Sequence, residues 1–525
     1  MTMAAARRLL PGALVLCVVL AALLAGCGGK ETAKAPVVVI GLDGATWDLL
    51  QPWIDAGDLP QLAAIQRTWA WGRLRSSIPY LSPAAWTTAV TGVNPGKHAI
   101  YDFQRRIPGQ TVVVNETAAS RRAHPIWNML RDAERRSLIL NIPMTDPPDV
   151  MNGLAIAGFP HLDRTGYTYP PELERKLAGY HLDEMEMRFM PGREDSLLRV
   201  FVEDRERRKA IVLDWLENER FDLLWAVFTE TDRVQHTFWM FQDPESPHYD
   251  PRSAAVLGPV LHDYWVGQDR ALGEILRAVG PEATALVLSD HGFAPLRYQV
   301  QVQNLLRRPG SSLSEKEANS IYCFDASDAS RLYVARRGRE DPRAWTPEEA
   351  RAVRAKLMAE LKQFVDPRTG LPVCAEVYAN EEIFAGTYAE KGPDVVAVPT
   401  PGYFLVDGDR SGEHTDEVIV PHSPILSGWH EMNGVYAVRG PAISPGRRDG
   451  DGEERFALVD IVPTVLYLLG EPIPEGLDGR VMRGVIDSAY WSANPPRARG
   501  PLEEDYRELS PEEMKNLKNL PYIGG

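Results

Sequence analysis

The chain has 525 residues and a formal net charge of −15, from 72 acidic against 57 basic side chains. With 44% hydrophobic and 25% charged residues it is not a largely disordered chain, and the acidic balance argues against a nucleic-acid-binding surface. Four cysteines in this length exclude a disulfide scaffold.

The first 27 residues read as an address rather than part of a fold. Arg7 and Arg8 end a positive stretch, an apolar run follows from Leu9 to Ala25, and it closes on Leu24-Ala25-Gly26-Cys27. A positive start, a short apolar core and small residues before a break describe a secretion signal. The ending resembles the bacterial lipobox, which implies cleavage before Cys27 and lipidation of its thiol. The competing readings are an uncleaved anchor or an ordinary signal with an incidental cysteine, though the run is short for a span of about 20 apolar residues. The expectation is an extracytoplasmic lipoprotein, held by its acyl chains on the periplasmic or cell-surface side of a membrane. Residues 28–35 read as a tether. Cys323 and Cys374 remain in the body of the protein, and their pairing is left open.

From residue 36 apolar runs alternate with helical stretches. Pro36–Leu42, Ser137–Ile142, Leu223–Phe228 and Ala283–Leu288 read as buried strands of a parallel sheet. Helical patterns lie between them, as at Asp204–Glu217 and Val256–Val279. The alternation predicts an α/β fold with a doubly wound, mostly parallel central sheet and helices on both faces.

Three of these strands run into aspartates: Asp43-Gly44, Thr229-Glu230-Thr231-Asp232, and Ser289-Asp290-His291-Gly292. Ligand sites in open α/β sheets lie beyond the carboxyl ends of the strands. Three like charges converging there are costly unless cations neutralise them. His291 adjoins Asp290, and His236 follows Asp232 by one helical turn. Mixed Asp and His donors suit zinc, with manganese the second choice. Taken singly, Asp43 reads as a turn or N-cap residue, and only the combination points to a metal centre.

Ser82-Pro83 reads as a helix start, with serine as N-cap and proline at the first helical position, before a short apolar helix stopped by Gly92. Either Ser82 merely caps this helix, or its hydroxyl, beside a metal ion and the positive end of the helix dipole, is a nucleophile.

These segments together resemble the alkaline phosphatase superfamily, nearest its type I phosphodiesterase and nucleotide pyrophosphatase branch and the bacterial proteins described as phosphohydrolases or phosphomutases. The resemblance is carried by Val39–Gly44, Ser82–Gly92 with Asn94–His98, Asp232–His236, Ser289–Phe293, Ser427–His430, and Asp460–Leu466 with Leu477–Arg480. It spans about residues 36 to 485. It implies two divalent ions, one held by Asp43, Asp290, His291 and the Ser82 oxygen, the other by Asp232, His236 and His430. It also implies hydrolysis of a phosphodiester or phosphomonoester through a phosphoseryl intermediate on Ser82. The alternatives are a phosphotransferase or phosphomutase, and a surface lipoprotein that keeps the fold for binding alone. The branch has threonine as nucleophile and an asparagine three residues on. Here those positions hold Ser82 and Ala85, so Asn94 or Lys97 is the substitute partner for the phosphoryl oxygen and Thr87 the reserve nucleophile. Neither cysteine has the sulfatase pattern.

Residues 36–485 are thus the expected catalytic domain, with 300–425 a cap-like insertion and 486–525 a C-terminal extension. Thr346-Pro347-Glu348-Glu349 opens an amphipathic helix to about Phe364. Residues 145–200 form a candidate second rim, and Ser510 opens a short final helix. Phe238, Trp239 and Trp429, beside the candidate histidines, read as core or as a stacking surface for a base or sugar. The expected partner is a small phosphoester substrate.

Overall fold

A computed structural model describes residues 35–106, 113–161, 164–177, 179–182, 192–323, 330–337, 344–408, 416–448 and 455–503. The signal segment, Cys27, the tether up to residue 34 and the helix expected at Ser510 lie outside the described residues, as does part of the 145–200 segment.

In chain order the strands that matter are β1 (Val37–Leu42), β2 (Ala70–Arg75), β3 (Ser137–Leu140), β4 (Gly153–Ile156), β5 (Thr168–Tyr169), β6 (Leu223–Phe228), β7 (Thr284–Leu288), β8 (Gly292–Gln301), β9 (Gly428–Glu431), β10 (Asn433–Arg439), β11 (Gly446–Arg447) and β12 (Phe456–Ala457). Ten of them form the central sheet, in the order β11-β2-β10-β7-β1-β6-β3-β4-β5, with β12 also on β2. The middle strands β7, β1, β6, β3 and β4 are parallel. Strand β10 joins antiparallel to β7 and β2, and β5 antiparallel to β4. This is the mostly parallel α/β sheet that the sequence predicts.

Successive side chains of a strand face opposite ways, and both faces here are apolar. Val38, Ile40 and Leu42 enter one core with Leu224, Ala226 and Phe228. Val37 and Val39 enter the other with Leu223, Trp225 and Val227. Helices α1 (Trp47–Ala56), α2 (Pro60–Thr68), α5 (Glu194–Asn218), α6 (Glu230–Phe238) and α7 (Pro251–Val279) supply the first core; α3 (Ser82–Thr91), α4 (Ile126–Arg131) and α9 (Ile461–Leu469) supply the second. Two helices outrun their apolar patterns. Helix α5 begins ten residues before the Asp204 of the sequence reading, on a solvated turn led by Glu194 and Asp195. Helix α7 begins at Pro251, where the Asp250 carboxylate caps Ser253 N–H.

Beyond the sheet, β8 pairs with Gly402–Val406, Ile419–Pro421 and β9. A further four-stranded sheet of Ile321–Tyr322, Arg331–Val334, Cys374–Ala379 and Val395–Pro399 packs with helix α8 (Pro347–Gln363) around a separate apolar core that includes Leu305, Leu332, Leu357 and Leu405. Helix α8 has the capping box of Thr346 and Glu349 that its sequence announces. No disulfide joins Cys323 to Cys374 among the described residues. Burial pushes the Cys374 thiol up to about 12. No helix among the described residues is long and apolar enough to cross a membrane.

Candidate active site

Strands β7, β1 and β6 are immediate neighbours and end level, with Gly41 opposite Leu288 and Leu42 opposite Phe228. The residues that follow them therefore leave the sheet side by side. Asp43 follows β1, Asp290 and His291 follow β7, and Asp232 sits in the first turn of α6, after β6. Gly44 makes the turn with φ +66°, and a Cβ there would lie 2.8 Å from the Phe293 ring. Glycine meets both constraints. Strand β9 brings in the last member, since its antiparallel register on β8 sets His430 opposite Phe293.

Two donor sets result. Asp43, Asp290 and His291 form one, buried; Asp232, His236 and His430 form the other, half-buried, and in each set the donor atoms lie within 4.8 Å of one another. His291 Nε2 is 3.5 Å from Asp43 Oδ1 and 3.3 Å from Asp290 Oδ2. Asp232 reaches His236 Nε2 at 3.4 Å and His430 Nε2 at 3.2 Å. The sets adjoin, with the His291 and His430 rings stacked.

The imidazoles are oriented from behind. His291 Nδ1 donates to Gly292 O at 3.0 Å and His236 Nδ1 to Gly428 O at 2.8 Å. Each bond fixes the tautomer and turns an Nε2 lone pair toward the centre, as in metal-ligating histidine. Three lone-pair atoms then crowd together in the first set. Asp43 Oδ1 and Asp290 Oδ2 are buried without a hydrogen-bond partner. Burial, reinforced by the charges of Asp290 and Asp232, holds the Asp43 carboxyl well above its usual range. Burial, with Asp232 adding to it, raises Asp290 to about 7. Burial also works against ionised Asp232, yet His236 and His430 hold that carboxyl well below its usual range. Burial and the neighbouring His430 lower His291. Orphaned, mutually repelling oxygens beside correctly turned imidazoles are what a divalent cation would satisfy, so the residues fit a metal at each set.

Ser82 stands at the edge of the first set, its Oγ 3.3 Å from His291 Nε2. The sequence places it as the N-cap, but the cap is Leu81, Ser82 is already helical, and no side chain caps the helix. Half-buried and freed from capping, the hydroxyl faces the donor sets. The reserve nucleophile Thr87 is instead buried in its helix, donating to Pro83 O at 2.6 Å. Asn94 and Lys97 are also engaged elsewhere. Asn94 donates to Asp478 at 2.7 Å and Ala385 O at 2.9 Å, and Lys97 bonds Gly476 O at 2.8 Å and pairs with Asp478. Phe238 and Trp239 belong to the core, while Trp429 stacks on His430 with centroids 4.6 Å apart and meets Phe404 edge-on.

Among the residues that touch the donor sets, Trp86 escaped sequence reasoning. Trp86 Nε1 donates to Asp43 Oδ2 at 2.9 Å and so aims Oδ1 at His291. Its signal was its spacing, since Ser82 and Trp86 share a helix face at i, i+4.

The family profile described as type I phosphodiesterase / nucleotide pyrophosphatase matches residues 37–430. The chain belongs to this family. As a member of the type I phosphodiesterase / nucleotide pyrophosphatase family it is a phosphoric ester hydrolase. Among solved structures it is similar to murine ectonucleotide pyrophosphatase / phosphodiesterase 5, inactive, in complex with AMP, at 15% identity over 86% of this chain and 100% of that one, TM-score 0.53. The human protein of the same name gives 16%, 86%, 100% and 0.54. Phosphonoacetate hydrolase from Sinorhizobium meliloti 1021, in complex with phosphonoformate, gives 16% over 83% of this chain and 95% of that one, TM-score 0.54. At these identities the likeness is one of fold. No curated protein matches the sequence.

Proposed function

We propose that this family member hydrolyses phosphate esters by covalent catalysis, with Ser82 as the nucleophile. The observation that carries the reading is the 3.3 Å approach of Ser82 Oγ to His291 Nε2, at the edge of two convergent donor sets. Asp43, Asp290 and His291, with Ser82 Oγ, would hold one divalent ion, and Asp232, His236 and His430 a second; zinc fits the mixed donors best, then manganese. Such ions favour the alkoxide form of serine and offset the charge of a phosphoryl group.

The chain's own residues do the rest. The amino end of α3 presents its dipole to the phosphoryl oxygens. Ser82 Oγ attacks phosphorus, the bond to the leaving oxygen breaks, and the phosphoryl group rests on Ser82. Water then cleaves the new P–O bond, returning the hydroxyl and releasing phosphate, or a phosphomonoester if the substrate is a diester. The neighbour in complex with AMP supports a nucleotide-like or similarly small ester as substrate. The region 300–425 would act as the cap over this crevice, within a catalytic domain of residues 36–485.

The test is Ser82→Ala on residues 28–525, assayed with a panel of aryl mono- and diesters. It should lose turnover and retain its metal content; wild-type rates in this variant would place the nucleophile elsewhere. We further propose that Cys27 is lipidated and holds the enzyme on the outer side of a membrane. A Cys27→Ala chain should leave the membrane fraction, and one that stays there contradicts the anchor.

A further inference from the structure

The two donor sets come from different elements, and their relative position must be fixed by something other than the donors. Helix α6 carries Asp232 and His236 one turn apart. Thr231 and Gln235 precede each of them by one residue, so they form a second stripe about 100° round the helix. Both are fully buried, at 0% exposure.

This second stripe is bonded to the β1 turn. Thr231 Oγ1 lies 2.7 Å from Asp43 O and 2.9 Å from Phe228 O, and its single proton serves these two carbonyls. Gln235 Nε2 spends its two protons on Gly44 O at 3.0 Å and on Thr231 O at 2.8 Å. The backbone of Asp43-Gly44, which aims one donor set, is thus tied by two side chains to the helix that aims the other. The tie is also sterically closed, because a Cβ on Gly44 would meet both Phe293 and Gln235.

We infer that Thr231 and Gln235 are positioning residues that set the separation of the two donor sets, although neither touches the centre. The inference rests on the two-metal reading above. Removing either bond while keeping the volume should loosen α6 against β1, and so weaken simultaneous occupation of the two sets more than occupation of the Asp43 set alone. Supporting bonds of this kind are worth about 10–100-fold in metal affinity.

The test uses the soluble chain and manganese alone as probe. Binding isotherms count the ions, and electron paramagnetic resonance reads the exchange coupling between them. Wild type should bind two ions with a coupled spectrum. Thr231→Val and Gln235→Met should each keep the first ion, weaken the second by about 10–100-fold and lose or alter the coupled spectrum. Thr231→Ser, which keeps the hydroxyl, should restore both. If wild type binds a coupled pair and both Thr231→Val and Gln235→Met reproduce its isotherm and spectrum, the inference is wrong while the metal reading stands. If wild type itself never binds a second ion, the metal reading fails and the inference falls with it. Near-ultraviolet circular dichroism checks folding, and either single variant decides the matter if the other fails to fold.

Discussion

The rings of His291 and His430 stack with centroids 3.8 Å apart and planes 28° apart. One belongs to the buried donor set and the other to the half-buried set, so the two sets share a wall. That contact exists because β9 lies on β8 with His430 opposite Phe293.

Because His430 serves only the outer set, its loss should be selective. His430→Ala should weaken one of two bound ions by at least about 100-fold, more than the loss of an outer-shell partner costs. The other ion should stay, and hydrolysis should fall with the lost one. Calorimetric titration with zinc checks this; a variant that still binds two ions as wild type does would remove His430 from the centre.

The floor of the site depends on close packing. A Cβ on Gly41 would lie 2.5 Å from the Trp86 ring and 2.9 Å from Val227. Trp86 is fully buried and holds Asp43 through its indole N–H. Gly41→Ala should therefore destabilise the fold by about 1–3 kcal/mol through overpacking and, by displacing Trp86, lower metal affinity. Denaturant midpoints and a zinc titration measure the two effects.

His98 gives an acid limb to stability. It is fully buried between Thr88 Oγ1, 2.9 Å from Nε2, and Ile100 N–H, 3.1 Å from Nδ1. Since Nδ1 accepts from Ile100, a second proton on the ring has no room. Burial, then the Arg121 charge, depress the imidazole to about 3. The unfolded imidazole takes up its proton near about 6.5. Between those values the unfolded chain binds more protons, so stability falls as pH falls, by up to about 1.4 kcal/mol per pH unit. His98→Gln should lessen the slope of stability against pH between about 6 and 4, as read from denaturant midpoints. An unchanged slope would mean that other groups govern this limb.

The parts of this site that read directly from sequence are those set by backbone topology. Asp43, Asp232, Asp290 and His291 stand where buried apolar runs end, and the neighbouring parallel strands deliver them to one crevice. His430 lies far along the chain on a strand with no such signal, and only the motif resemblance singled it out. The serine was legible as a helix start, but whether it caps α3 or stands inside it is a shift of one residue, and caps are fixed by dihedral angles that composition does not encode. Trp86, Thr231 and Gln235 were missed because residues in a buried helix read as core. What distinguishes them is the carbonyl or carboxylate they meet across the sheet, which is a tertiary fact.

The central claim is that Ser82 carries the phosphoryl group during turnover. Its most direct test is acid quenching of the metal-loaded enzyme during hydrolysis of an aryl phosphoester, followed by peptide mass spectrometry. The account predicts a phosphoryl group on the peptide containing Ser82, localised to that residue and absent from Ser82→Ala. Steady turnover with a phosphoryl group on another residue, or a wild-type rate in the variant, would contradict it.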